Sequence, residues 1–408
     1  MKSTCIALAA LFIAVKGLGG SFNSVFTAMG WGLFHGPVVG TLFAILLGTF
    51  FLTYSSEEKK SVVSISSREK TIFSVVYFLM IAVALWIRWQ LIQKNALDIN
   101  RADMLFAIQA EIDAFLKGIN PYGPLTMTNG GIIQHGYPPL LWLGYLPFSL
   151  LHLDLRCLNL IAQGVFYFFL WDIFLKQKRF HFSSFAKSAA FFIVLVGFHC
   201  FSKQATRQPM DVHMGPYWLC FTLFLWALSR GNFSVAFWIL PLLCLCREPA
   251  FLWALPLLLL FYLKERTLFW EAFKKLIIGG FAIAGVFILW SPKLFFSGVL
   301  FYGAHVYQTP LNEMLRFYGL SGVLAVTGLL VLQKPLQALG ILVTFFWVSR
   351  RRDTLQVPQA LALGGFAYLT LMLFVSLSYP FVYSELIMLV YALLFWPSGT
   401  GDKEFQFP

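Results

Sequence analysis

Charged residues make up only 12% of this 408-residue chain, so where they stand is informative. Three groups sit beside turns at the ends of apolar runs. Asp98, Arg101, Asp103, Glu111, Asp113 and Lys117 are followed by Gly118-Ile119-Asn120-Pro121-Tyr122-Gly123-Pro124 and then by His135-Gly136-Tyr137-Pro138-Pro139-Leu140. Arg207 and Asp211 form an R-x-x-x-D arrangement, and Arg247-Glu248 precedes Pro249-Ala250. A carboxylate so placed can take a proton from a hydroxyl, and a fixed guanidinium can stabilise an anion such as a departing phosphate. Each group also has a plainer reading: Asp103 as a helix cap, Arg207 as an interfacial anchor, Arg247 and Glu248 as a local ion pair, and the Pro/Gly segments as turns. Burying an ionisable group near membrane depth is costly, which favours a functional role. His305 and Arg316 stand among Tyr302, Tyr307 and Phe317, the pattern of an aromatic membrane belt rather than of a site.

Asp103 to Lys117 reads as a helix ending at Gly118. Met104, Leu105, Ile108, Ile112, Phe115 and Leu116 form its apolar stripe, which predicts a helix lying flat in a membrane interface. Ala107, Ala110 and Ala114 line up with Asp103 on another face. Such a small-residue face leaves room for a substrate or lets a neighbouring helix pack close, and the sequence leaves both open.

The elements that must carry these residues follow from composition. Hydrophobic residues make up 59% of the chain and the mean hydropathy is +0.75, which excludes an ordinary soluble domain and implies a polytopic α-helical membrane protein. The net charge, 30 − 18 = +12, lies in short connections between apolar runs, so it speaks for membrane orientation and not for nucleic acid. Apolar runs predict twelve spans: 5–20, 34–53, 71–91, 156–175, 186–202, 216–229, 233–246, 249–263, 276–290, 335–349, 358–378 and 381–396. Four basic clusters should share the cytoplasmic side: Lys59, Lys60, Arg68 and Lys70; Lys176, Lys178, Arg179 and Lys187; Lys264, Arg266, Lys274 and Lys275; Arg350, Arg351 and Arg352. With that parity, 92–155 and 291–333 lie outside, the apolar stretch 138–151 is re-entrant or interfacial, and Ser398 to Pro408 is a cytoplasmic tail. The chain then reads as one membrane domain: an extra N-terminal helical hairpin over 1–54, a first large outer loop over 92–155, and the remaining bundle over 156–408. The run Met1 to Val15 is a short first span or signal anchor. Cys5, Cys157, Cys200, Cys220, Cys244 and Cys246 lie in or beside apolar runs with no CxxC pair, as small buried hydrophobes. No internal repeat stands out.

The order of features is more specific than any one of them. A span, an aspartate, an amphipathic helix, G-x-N-P-Y and Y-P-P-L resemble the GT-C superfamily of integral-membrane glycosyltransferases. Similarity is greatest to the polyprenyl-phosphate-mannose-dependent mannosyltransferases and to the lipid-A aminoarabinose and protein mannosyl transferases. Asp103, Gly118, Asn120, Pro121, Tyr122, Tyr137, Pro138 and Pro139 carry the match, which runs over roughly 95–260. One departure is that two apolar spans precede the span leading into the loop. The resemblance implies a GT-C-like bundle that moves a sugar, mannose or a related hexose, from a polyprenyl-phosphate donor to a glycan or glycolipid acceptor at the outer face of the cell (inner) membrane. Inversion by direct displacement, with Asp103 as base, would follow. Arg207 and Arg247 would meet the phosphate, with Asp211, Glu248, Asn120, Tyr122, His135 and Tyr137 around the substrates. Some members use a divalent cation such as Mg or Mn. Asp103, Glu111 and Asp211 are carboxylates that could bind one, but the chain has no ligand motif. The alternative is a polytopic lipid or sugar transporter or flippase without transferase activity. Transporters often show repeated halves and broken spans, neither of which is clear here.

Overall fold

In a computed structural model, residues 35–54, 61–62, 65–126, 132–133, 136–177, 179–180, 184–201, 212–299, 319–375 and 384–397 are described. Among them the chain is almost wholly helical. Four two-residue strands, β1 (Ser61–Val62), β2 (Leu125–Thr126), β3 (Ile132–Ile133) and β4 (Arg179–Phe180), form two antiparallel pairs, β1 with β4 and β2 with β3.

Every sequence-read span after 5–20 coincides with a helix; 5–20 lies outside the described residues. In chain order these helices are α1 (His35–Thr53) and α2 (Ser67–Lys94), then, beyond the connecting elements α3 (Ile99–Leu116), α4 (Pro139–Leu143) and α5 (Leu146–Leu150), α6 (Arg156–Lys176), α7 (Phe185–Phe201), α8 (Gly215–Ser229), α9 (Phe233–Cys246), α10 (Phe251–Lys264) and α11 (Arg266–Trp290). After α12 (Pro292–Val299) and α13 (Ser321–Val326) come α14 (Gln333–Arg350), α15 (Val357–Leu373) and α16 (Ser384–Leu394). Four are long and apolar enough to cross a membrane: α2, α6, α11, and α14 counted with the turn that opens it at Leu330. These, with their lipid-like surfaces, mark an integral membrane protein. On α2, Ile72, Val75, Leu79, Val83 and Trp86 are exposed, as are Ile277, Ile278, Phe281, Val286 and Leu289 on α11. Apolar side chains exposed in such numbers favour hydrocarbon over water. The other apolar helices are shorter; α9 and α10 have 14 residues each, about 21 Å against a hydrocarbon core of ~30 Å.

Local chemistry explains the helix ends. Ser66 and Glu69 cap α2 reciprocally, with the Glu69 N–H donating to Ser66 Oγ at 3.2 Å and the Ser66 N–H to Glu69 Oε2 at 2.9 Å. The helix expected over 276–290 starts at Arg266, because its polar first turns are themselves supported. Lys275 Nζ donates to Glu271 at 2.5 Å and to Ser234 Oγ at 2.6 Å.

Contacts between helix ends group the basic clusters. The β1–β4 pair sets residues 61–62 beside 179–180. Asp172 of α6 accepts from Lys176, from Arg230 just past α8, and from Trp226 Nε1 at 2.7 Å. Ser234 at the start of α9 meets Lys275 of α11, and Lys264 Nζ donates to Leu355 O at 2.9 Å, beyond the Arg350–Arg352 run. One end of the bundle therefore gathers members of all four clusters. The segment 138–151 stays at the opposite end as α4 and α5, five residues each, far too short to traverse it.

Single cysteines at Lys117 and Leu151 in a cysteine-free background should label from one side of the membrane, and one at Lys274 from the other. Labelling of Lys117 and Leu151 from opposite sides is the result that would break this arrangement.

Candidate functional site

At the end away from the basic clusters, α3 to α5 cover the mouth of the bundle. Ala102 is non-helical (φ −127°, ψ 39°) and kinks α3, so the regular helix begins at Asp103. It ends in a left-handed Gly118 (φ 71°), with Ile119 N–H donating to Ala114 O at 2.8 Å and Gly118 N–H to Phe115 O at 3.0 Å, a Schellman closure. Asn120 Oδ1 then accepts the Tyr122 N–H at 3.0 Å and Asn120 O the Gly123 N–H at 3.2 Å, fixing the Asn-Pro-Tyr-Gly turn. That turn buries Tyr122 completely against Trp142, Phe287 and Phe295.

The helix is not the surface-lying element its stripe predicts. Leu105, Ile108 and Ile112 are fully buried in a core shared with α4 and the end of α11. On the other face Ala107 and Ala114 are buried too. Ala110 is half-buried and Asp103, Asp113 and Leu116 stay exposed, so the helix is covered over most but not all of its circumference. Asp103 itself is exposed; among the described residues its carboxylate accepts only the following Met104 N–H, at 2.8 Å. Asp113 is exposed and accepts from Gln109 Nε2 at 2.7 Å.

Glu111 is the exception on α3. It is fully buried, and neither carboxyl oxygen has a hydrogen-bond partner among the described residues. Burial pushes its pKa well up, so the carboxyl is held neutral. The buried Asn120 Nδ2 is likewise without a partner.

A polar lattice ties this layer to the bundle. Tyr145 OH donates to Asn159 Oδ1 at 2.9 Å, accepts the Gly215 N–H at 3.1 Å, and Asn159 Nδ2 donates to Val212 O at 2.7 Å. A Cβ on Gly215 would sit 2.6 Å from Asn159 Oδ1 and one on Gly144 2.6 Å from Pro216, so both positions need glycine for the approach. Arg156 Nη1 and Nη2 donate to Asn95 O and Ile92 O at the end of α2. Tyr137 donates to Met104 Sδ at 2.6 Å and packs on the His213 ring at 4.6 Å.

Arg247 and Glu248 occupy the junction between α9 and α10. Arg247 leaves the helix in extended conformation (φ −160°, ψ 129°) and pairs with Glu385 of α16 at 2.5 Å, not with its neighbour Glu248. The local ion pair that adjacency suggests is therefore replaced by one spanning 138 residues. The guanidinium lies 5.8 Å from the Tyr217 ring centre and 6.0 Å from that of Tyr368. Glu248 is solvent-exposed, with protein atoms dense around its base. Burial raises its pKa to about 7, against the lowering by its own backbone N–H and by Arg247. Leu245, two residues before Arg247, packs against the cluster that buries Tyr122, so the Arg247 junction and the Asn-Pro-Tyr turn lie close together.

Asn120, Tyr122, Arg247 and Glu248 thus share one end of the molecule with Asp103 and Tyr137. Arg207, Asp211, His135, His305 and Arg316 lie outside the described residues. The described residues contain no group of three or more His, Cys, Asp or Glu able to hold a metal. Sequence reasoning passed over Glu385 and Arg88, each a lone charge within an apolar run, which was the available signal. Arg88 is fully buried and donates to Cys200 O at 2.8 Å and Tyr167 OH at 3.3 Å. Comparison of the chain with protein-family models, curated proteins and solved structures finds no match in any of the three.

Two stability tests follow from the buried charges. A carboxyl whose pKa is raised by folding favours the native state fully at acid pH and loses that advantage as pH rises. Wild type should therefore lose thermal stability relative to Glu111→Gln as pH rises above the ordinary carboxylate range, and a constant difference would contradict the raised pKa. Removing one partner of a buried pair strands the other at a cost of about 3–5 kcal/mol. Arg247→Ala should show that loss in thermal or denaturant unfolding in detergent, and Arg247→Gln with Glu385→Gln should recover part of it. Equal losses in the two would mean that the pairing is not what stabilises the junction.

Proposed function

We propose that the protein is a membrane glycosyltransferase of GT-C-like architecture, with about twelve crossings when the shorter helices are counted. It transfers a hexose, mannose by resemblance, from a polyprenyl-phosphate donor to a glycan or glycolipid acceptor at the outer face of the cell membrane. The observation that carries the reading is the meeting of unlike groups at one end of an apolar bundle. A guanidinium with two aromatic rings at cation–π distance adjoins the Glu248 carboxyl, whose pKa is raised to about 7. The Asn-Pro-Tyr turn is buried at the same end. A polyprenyl chain needs the apolar surface of the bundle, its phosphate needs a fixed cation, and an acceptor hydroxyl needs a base.

In the proposed reaction the acceptor oxygen attacks the anomeric carbon with inversion. The sugar–phosphate C–O bond breaks, its electron pair leaves with the phosphate towards Arg247, and Asp103 takes the hydroxyl proton. Arg207, Asp211, Glu248, Asn120, Tyr122, His135 and Tyr137 are assigned to the substrates. No step is routed through a divalent cation. Asp103 opens the regular part of α3, where a carboxylate is favoured by the helix dipole.

Purified protein given a polyprenyl-phosphate sugar and an acceptor should release free polyprenyl phosphate. Failure over a broad donor and acceptor panel would favour the transporter reading. Asp103→Asn separates base from cap, because Asn keeps an oxygen for the Met104 N–H but cannot take the proton. Turnover should fall by about 10²-fold or more with donor binding largely kept, while Asp113→Asn should change little. Near-normal turnover in Asp103→Asn would move the base to Asp98 or Asp211.

A further inference from the structure

The Arg247–Glu385 pair is unevenly buried. Glu385 is completely enclosed, whereas the Arg247 side chain keeps 15% of its surface exposed. Access to the pair is therefore from the Arg247 side, with Glu385 the enclosed partner. Of the five N–H groups of a guanidinium, one on Nη1 is engaged among the described residues, by Glu385. Tyr217 and Tyr368 flank the cation and are themselves fixed. Trp253 Nε1 donates to Tyr217 OH at 2.9 Å, and the Trp253 ring stacks on Tyr368 at 4.7 Å. The group is thus held rigidly with hydrogen-bonding capacity to spare, which is how a planar anion receptor is built.

The paired carboxylate also has an electrostatic effect. At contact distance it cancels much of the field that Arg247 would offer an arriving anion. A bare guanidinium in an apolar recess would hold a phosphate tightly, and a transferase must let its spent carrier lipid go. Glu385 stands in the first turn of α16, where the helix dipole steadies the charge.

We propose that Glu385 acts through Arg247 to set how tightly the site holds an anionic headgroup, fixing one edge of the guanidinium while cancelling part of its charge. This rests on the reading of Arg247 as the phosphate partner. Glu385 is a positioning residue in this role and does not itself touch substrate. Gln at 385 retains an oxygen that can accept from Nη1 but carries no charge, so it separates geometry from electrostatics.

The test is equilibrium binding of a polyprenyl phosphate and of the uncharged polyprenol of the same length to the full-length protein in detergent, read by tryptophan fluorescence. Wild type should prefer the phosphate, and Arg247→Gln with Glu385→Gln should lose that preference. Glu385→Gln alone should bind the phosphate about tenfold or more tightly, with polyprenol binding unchanged. A merely structural role would move both ligands alike. Glu385→Asp keeps the acidic first turn and draws the charge back by one methylene. It should shift the phosphate in the same direction by less, and it serves if the Gln variant does not fold. Unchanged or selectively weakened phosphate binding in Glu385→Gln, or in Glu385→Asp where it stands in, overturns the proposal alone. Absence of any phosphate preference in wild type overturns the underlying reading as well.

Discussion

A polar group inside an apolar bundle has no water to fall back on, so it must find its partner within the protein. Much of this architecture follows from that constraint. Where the backbone leaves regular helix, side chains meet it: Arg156 covers carbonyls at the end of α2, and Arg88 covers Cys200 O at the end of α7. Where charges enter, they do so as pairs or networks that bridge helices. Asp172 draws α6 and α8 together at one end, and Arg247 with Glu385 joins the α9–α10 junction to α16 at the other. Glu111 departs from the rule, and its carboxyl meets the constraint by giving up its charge.

The helices were legible because each apolar run has one outcome in a membrane. The stop at Gly118 and the Asn-Pro-Tyr turn were equally local, since each is decided by residues within a few positions. What stayed hidden was pairwise and distant. Nothing in the spacing of Arg247 and Glu248 points to a carboxylate 138 residues away. The burial of both faces of α3 was hidden for the same reason. Its amphipathic stripe reads as a surface helix, and only the arrival of α4 and the end of α11 on it turns that stripe into a core. The kink at Ala102 has no proline or glycine to announce it.

The candidate site was legible in kind more than in detail. The sequence singled out Asn120, Tyr122, Arg247 and Glu248 from turn chemistry and scarce charge, and all lie at one end of the bundle. The residues that tune them are aromatic, and in an 18% aromatic chain Tyr217 and Tyr368 do not stand out. Their significance comes from lying within about 6 Å of one guanidinium.

Every residue of α16 from Ser384 to Leu394 is buried. Tyr391 OH donates to Leu195 O, Tyr54 OH to Leu393 O, and Gln177 Nε2 to Trp396 O, so this helix stands in the middle of elements that precede it by hundreds of residues. A ribosome delivers it only after every other described helix has been made. Until then α1, α6, α7 and α8 lack the helix that fills the space between them, and Arg247 lacks its Glu385 partner. Insertion and consolidation are therefore separated in time. The early helices must wait in the bilayer as a loose assembly, and a pause in translation upstream of α16 leaves a chain that is threaded but not yet folded.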